Sequence, residues 1–196
     1  MGLTGGVAAG KSEALSAFGR LGAATISADQ VVHDLLDQEP LLSRLKERWG
    51  DEVAPGGRVD RSVVGARVFN DPEELAWLEA RIHPLVGGEL LGWIDRLDPD
   101  TKFAVAEIPL LFEGEMHQRF DHTVAIVAHE DLRQERARSR GHEGVEGREA
   151  RQLSQAEKAA RADTVIKNDG TPADLEAKLA ALLESLESEL ATGGQS

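Results

Sequence analysis

The chain has 196 residues, with 22 Lys+Arg against 35 Asp+Glu for a formal net charge of −13, and it has no cysteine. Such a length suits about one compact domain with a small insertion, able to bury its core without disulfide or Cys-zinc staples. The acidity argues against a phosphate-tracking nucleic-acid face or docking on an anionic membrane, and three Trp, five Phe and no Tyr are too few for base-stacking platforms.

The opening Met-Gly-Leu-Thr-Gly-Gly has neither a basic stretch nor an apolar one, so no signal peptide is expected. No apolar run approaches about 18 residues, and a cytoplasmic protein with no membrane partner is the expectation. Residues 1–4 predict a very short strand, then a Gly-rich loop, then a helix from about Lys11 to Leu21 with Leu15, Phe18 and Leu21 on one face. Residues 23–27 predict a second, buried strand. A helical region follows, broken at Pro55-Gly56-Gly57. Leu75, Leu78, Ile82, Val86, Leu90, Ile94 and Leu97 keep a helical period that only Pro84 interrupts. Strands are predicted over 102–106, 123–127 and 164–167, and an amphipathic helix over 172–190 with Leu175, Leu179, Leu182, Leu183, Leu186 and Leu190 inward; 191–196 would fray. Strands alternating with helices predict an α/β fold, a parallel sheet flanked by helices. Residues 41–97 show no strand pattern and read as a helical insertion between 1–40 and 98–196.

Gly5-Gly6-Val7-Ala8-Ala9-Gly10-Lys11-Ser12 fits G-x-x-x-x-G-K-[ST]. Small residues let backbone N–H groups curl around phosphate oxygens, and the following helix points its positive end at them. Lys11 can reach the β- and γ-phosphates, and the Ser12 hydroxyl can ligate Mg²⁺. Glu13 brings an anion close to that site. A GTPase would carry a base-reading [NT]-K-x-D; Thr101-Lys102-Phe103-Ala104 lacks the Asp. A small-molecule kinase suits the size and the insertion better.

With these residues in view, the chain resembles the dephospho-CoA kinase family. The resemblance rests on G-L-T-G-G-V-A-A-G-K-S, on Ser27-Ala28-Asp29 with His33, on Arg61 and His83-Pro84, and on Glu107-Ile108-Pro109-Leu110-Leu111-Phe112-Glu113. It continues through Arg136 and Arg140, Arg148 and Gln152, Lys158, and Ala162-Asp163 with Asn168. It implies a P-loop kinase that passes the γ-phosphate of MgATP to the 3′-hydroxyl of dephospho-CoA, with Mg²⁺ as cofactor. It also implies a CoA-binding insertion over 41–97 and an Arg-bearing lid over about 133–150. The departures are Ser27 and Glu107 where the family carries Asp, Ala8 where Gly is common, and Arg133 at a lid Gln.

The candidate catalytic residues are Asp29, Lys11, Arg140 and Arg136. Asp29 follows a strand's C-terminal end, where ligands bind in open α/β sheets, and can accept the proton of an attacking hydroxyl; its bland role is in the first turn of a helix capped by Ser27-x-x-Gln30. Arg133, Arg136 and Arg140 share a helical face, and guanidinium donors match a transferring phosphoryl group. Arg133 and Arg138 read more as a solvated helix face. ATP contacts are expected from Gly6, Val7, Ala8, Ala9, Gly10, Lys11, Ser12, Glu13, Arg140 and Asn168; acceptor contacts from His33, Arg61, His83 and Glu107, with a weaker case for Glu113. His117, His122, His129 and His142 show no metal-ligand spacing and read as surface, and Trp49, Trp77 and Trp93 as core. The rival readings are another P-loop small-metabolite or nucleoside-monophosphate kinase and a non-catalytic nucleotide-binding regulator.

Overall fold

The computed structural model describes residues 1–114, 116–139 and 152–193. They divide into two compact units, 1–27 with 98–196 and 28–97.

The first unit is built on five parallel strands: β1 (Gly2–Gly5), β2 (Ala24–Ser27), β3 (Ala104–Glu107), β4 (Thr123–Val127) and β5 (Thr164–Lys167), in the order β2-β3-β1-β4-β5. Gly2 stands opposite Ala106 on one side and Thr123 on the other, so β1 is central. All four of its residues are buried, and a strand that short persists because both its edges are hydrogen-bonded. Among the described residues, the unit's α-helices are α1 (Lys11–Arg20), α6 (Glu130–Ser139), α7 (Gln155–Arg161) and α8 (Pro172–Gly193). Helix α1 packs on α8 and over β2 and β3, while α7 packs on β4 and β1. Leu3, Phe18, Val105, Val124, Ile126, Leu175 and Leu179 form the core between them.

The second unit holds α2 (Ala28–Leu36), α3 (Leu41–Trp49), α4 (Arg61–Asn70) and α5 (Pro72–Asp95), with 3-10 turns at Asp51–Val53 and Pro55–Gly57. Asp60 and Asp71 cap α4 and α5 by accepting from backbone N–H groups in the first turn. Its own core gathers Leu35, Leu36, Leu41, Leu45, Val53 and Ile82. Trp49 packs against Trp77 at 5.3 Å, and Arg81 lies 4.1 Å over the Trp77 ring.

Several sequence expectations change. Strand β2 is half-buried rather than buried, because it lies at the sheet edge. Strand β3 starts at Ala104, two residues late, so Glu107 closes the strand instead of following it. Helix α5 runs unbroken through Pro84: the ring takes away one donor, and packing on α2 and α4 holds the rest. Helix α8 extends to Gly193, and Leu190 is exposed. Ile94 is also exposed. Trp49 is buried, while Trp77 and Trp93 are half-buried. His129 is exposed but His117 and His122 are half-buried, the first against Phe112 and the second hydrogen-bonded to Thr164; His142 lies outside the described residues.

Candidate nucleotide site

The loop between β1 and α1 depends on two glycines. Gly5 (φ +152°) passes so close to β4 that a Cβ would lie 2.2 Å from the Ile126 carbonyl oxygen. At Gly10 (φ +99°) a Cβ would lie 2.2 Å from Asn168 Nδ2. Ala8 takes a left-handed φ of +57° without glycine's freedom. The Ala9 N–H donates back to Gly6 O at 3.2 Å, and the Ala14 N–H closes the first turn of α1 on Gly10 O at 3.0 Å.

Side chains from α1, from α6 and α7, and from just past β5 hold this loop. Lys11 curls back so that its ammonium donates to the carbonyls of Gly5 (3.4 Å) and Gly6 (3.1 Å). Asn168, buried just past β5, donates from Nδ2 to Ala9 O at 2.8 Å. Its own carbonyl accepts from Arg136 Nη2 at 3.2 Å. The other terminal guanidinium nitrogen of Arg136, Nη1, is buried and has no hydrogen-bond partner among the described residues, 3.9 Å from the Cβ position of Gly10. Arg133 donates from Nε to Val7 O at 2.8 Å and pairs through Nη1 with Glu130 at 2.7 Å. Gln155, at the start of α7, makes a two-point bond to the Ala128 backbone and packs against Gly6. The α1 N-terminus, Lys11, Arg133 and Arg136 thus concentrate positive potential at one loop of an acidic chain.

Ser12 is exposed in the first turn of α1, and among the described residues its hydroxyl makes no hydrogen bond. The Glu13 carboxylate is held by Arg20 at 2.8 Å, and Arg20 also reaches Glu176 on α8, so the acid expected beside the phosphates is neutralised along the helix. Glu107 is buried at the end of β3, in register with Ser27 on β2 and Leu3 on β1. Arg138 is exposed, and Arg140 lies outside the described residues, as does most of the segment 133–150.

In the second unit Asp29 is exposed in the first turn of α2, with half-buried His33 four residues on. Gln30 donates to Asp34 at 2.7 Å rather than taking part in the expected capping box. Arg61 opens α4 and His83 lies within α5; both are exposed.

Sequence reasoning undervalued three side chains. Arg133 read as a solvated charge and proves to hold the loop. Gln155 carried no sequence signal, since its role lies in tertiary packing. Lys158 is fully buried, donating to Pro109 O at 2.6 Å and Gln152 Oε1 at 3.2 Å and pairing with Glu113 at 3.3 Å. Burial pushes the Lys158 ammonium below its usual range while Glu113 opposes the shift. A full set of acceptors around an otherwise buried cation marks a strut between the 107–114 turn and the start of α7. Among the described residues, no group of three His, Cys, Asp or Glu is placed to hold a metal, and no helix is long and apolar enough to cross a membrane.

Comparison with known proteins extends this geometry. A family model described as dephospho-CoA kinase matches residues 1–174. A dephospho-CoA kinase from Hahella chejuensis is 34% identical over 94% of this chain and 90% of its own. A crystal structure of a Thermus thermophilus protein superposes with a TM-score of 0.80 at 34% identity, covering 94% of this chain and 96% of that one. A dephospho-CoA kinase from Campylobacter jejuni superposes with a TM-score of 0.65 at 27% identity, covering 94% and 95%.

Proposed function

The chain belongs to the dephospho-CoA kinase family and is an ATP-dependent kinase, and on that premise we propose how its own residues divide the reaction. ATP lays its phosphates on residues 5–13, facing the loop N–H groups, with Lys11 on the β- and γ-phosphates. Asn168 supports the loop from behind. Dephospho-CoA is the acceptor, contacted by His33, Arg61, His83 and Glu107, with residues 41–97 supplying the CoA-binding insertion.

Asp29 takes the proton of the ribose 3′-hydroxyl as its oxygen attacks the γ-phosphorus. The bond from phosphorus to the β,γ-bridging oxygen breaks, and ADP leaves. Charge on the transferring phosphoryl oxygens is met by Lys11, Arg136 and Arg140, the last two on a lid over about 133–150. Exclusion of water from the site matters as well, because an open site would hydrolyse ATP.

The Ser12 hydroxyl has the chemistry and the exposure to be the protein ligand of Mg²⁺. Nucleotide phosphates and water complete such a site, so a cage of acidic side chains is not needed. The ion, when bound, neutralises phosphate charge; Lys11 and the loop amides do the rest of the orienting.

The observation that carries this reading is the loop itself, with the buried Arg136 Nη1, which has no hydrogen-bond partner among the described residues, beside Gly10. A buried guanidinium N–H without an acceptor is costly, and a phosphate oxygen supplies one. The test is ADP release from MgATP against dephospho-CoA, AMP, shikimate and gluconate. Stimulation by dephospho-CoA alone is expected. Stimulation by another acceptor reassigns the substrate, and ATP binding without turnover of any acceptor favours a regulator.

A further inference from the structure

The direction of the loop's amides is set from outside the loop. A trans peptide keeps each C=O and the following N–H on opposite sides of one plane. Arg133 Nε holds Val7 O at 2.8 Å, and Asn168 Nδ2 holds Ala9 O at 2.8 Å. Both carbonyls are turned toward the side chains that flank the loop. The N–H groups of Ala8 and Gly10 therefore point the opposite way, and neither donates a backbone hydrogen bond among the described residues.

Neither brace is a loose surface contact. The Arg133 side chain is only 14% exposed, and Asn168 is 6% exposed. Glu130, three residues earlier on α6, orients the guanidinium by taking Nη1. Ala8 adds a reason for a brace: a non-glycine residue at φ +57° persists only where its surroundings hold it.

We propose that Arg133 is a positioning residue for the donor nucleotide. It acts as a hydrogen-bond donor that fixes the Val7–Ala8 peptide and so aims the Ala8 N–H at a bound phosphate, rather than as a further phosphate-binding charge. The proposal rests on the reading that this loop holds ATP.

Three proteins test it: wild type, Arg133→Met, which removes the donor and the charge, and Arg133→Gln, which restores a donor without charge. The readouts are the ATP dissociation constant by calorimetry without acceptor, the KM for dephospho-CoA, and the thermal midpoint as a check on folding. Arg133→Met is expected to weaken ATP about tenfold or more and to leave the acceptor KM within about twofold. Arg133→Gln is expected to return ATP affinity to within about threefold of wild type, which loss of a charge would not allow.

Equal weakening by Gln and Met overturns the donor role in favour of charge. ATP affinity unchanged in Arg133→Met overturns the brace altogether. If the Met variant does not fold, Glu130→Gln is read in its place: about threefold weaker ATP supports the brace, and no change overturns it. A wild-type protein with no ATP affinity removes the underlying reading, and the brace with it.

Discussion

At the scale of single residues, the chemistry separates groups that the fold holds rigidly from groups it leaves open. Asn168, Arg133 and Lys158 are locked by named partners. Asp29 is exposed, and among the described residues its carboxylate has no hydrogen-bond partner. A general base must meet its substrate's proton, so a carboxylate already engaged by the protein would serve badly. Asp29→Ala is therefore expected to lower kcat by about 10²–10⁴-fold while the ATP dissociation constant stays within about twofold. Pre-steady-state phosphoryl transfer and ATP calorimetry on the same protein check this, and unchanged turnover removes Asp29 from the mechanism. The motif G-x-x-x-x-G-K-[ST] makes the loop legible from the residues alone, because it spells a local backbone conformation. Arg133 and Gln155 are not legible in that way, because the carbonyl and the glycine they meet lie 126 and 149 positions away in the chain.

At the scale of elements, strand register places the site. The carboxylate of Asp163 accepts from the Thr123 N–H at 2.8 Å and hydroxyl at 2.6 Å, pinning the start of β5 to the start of β4. That register carries Asn168, one residue past β5, to the loop. The Thr123 hydroxyl, and after it the Thr123 N–H, hold the Asp163 carboxyl below its ordinary range. A carboxyl depressed in the folded state contributes stability above its unfolded value of about 3.9, and loses it as pH falls through the lower folded value. Asp163→Asn is thus expected to flatten the acid limb of stability below about pH 4. Urea midpoints followed from pH 6 down to pH 3 check it, and parallel limbs for the two proteins would contradict it. Helix α5 shows the limit of pattern reading at this scale. Pro84 signals a break to any local rule, yet 24 residues stay helical because a packed face outweighs one lost hydrogen bond.

At the scale of the whole molecule, two hydrophobic clusters stand where length alone suggested one domain and an insertion. The second is built on Leu45, which is fully buried on α3. Leu45→Ala is expected to cost about 2–5 kcal/mol in that unit. Amide exchange should then quicken across 28–97 and leave β1, β3 and β4 as protected as before. Equal loss of protection in the sheet would show one cooperative unit instead. The charge of −13 belongs to this scale too: against an acidic chain, Lys11, Arg133 and Arg136 gather three cationic side chains around one loop.

By itself the sequence determined what local chemistry can determine. Glycine and lysine spacing specified a phosphate loop, alternating periodicities specified parallel strands with helices, and the ordered motifs from Gly2 to Asn168 specified the family. Strands 123–127 and 164–167 were legible to the residue, since short β-branched runs between polar breaks leave one reading. Tertiary structure alone decided which strand lies at the edge, that Glu107 ends β3, that α5 survives its proline, and which side chains brace the loop. Each of these depends on packing or pairing between separate elements, most of them far apart in the chain. Packing and hydrogen bonding between elements set them, and local periodicity and motif spacing do not encode which elements meet.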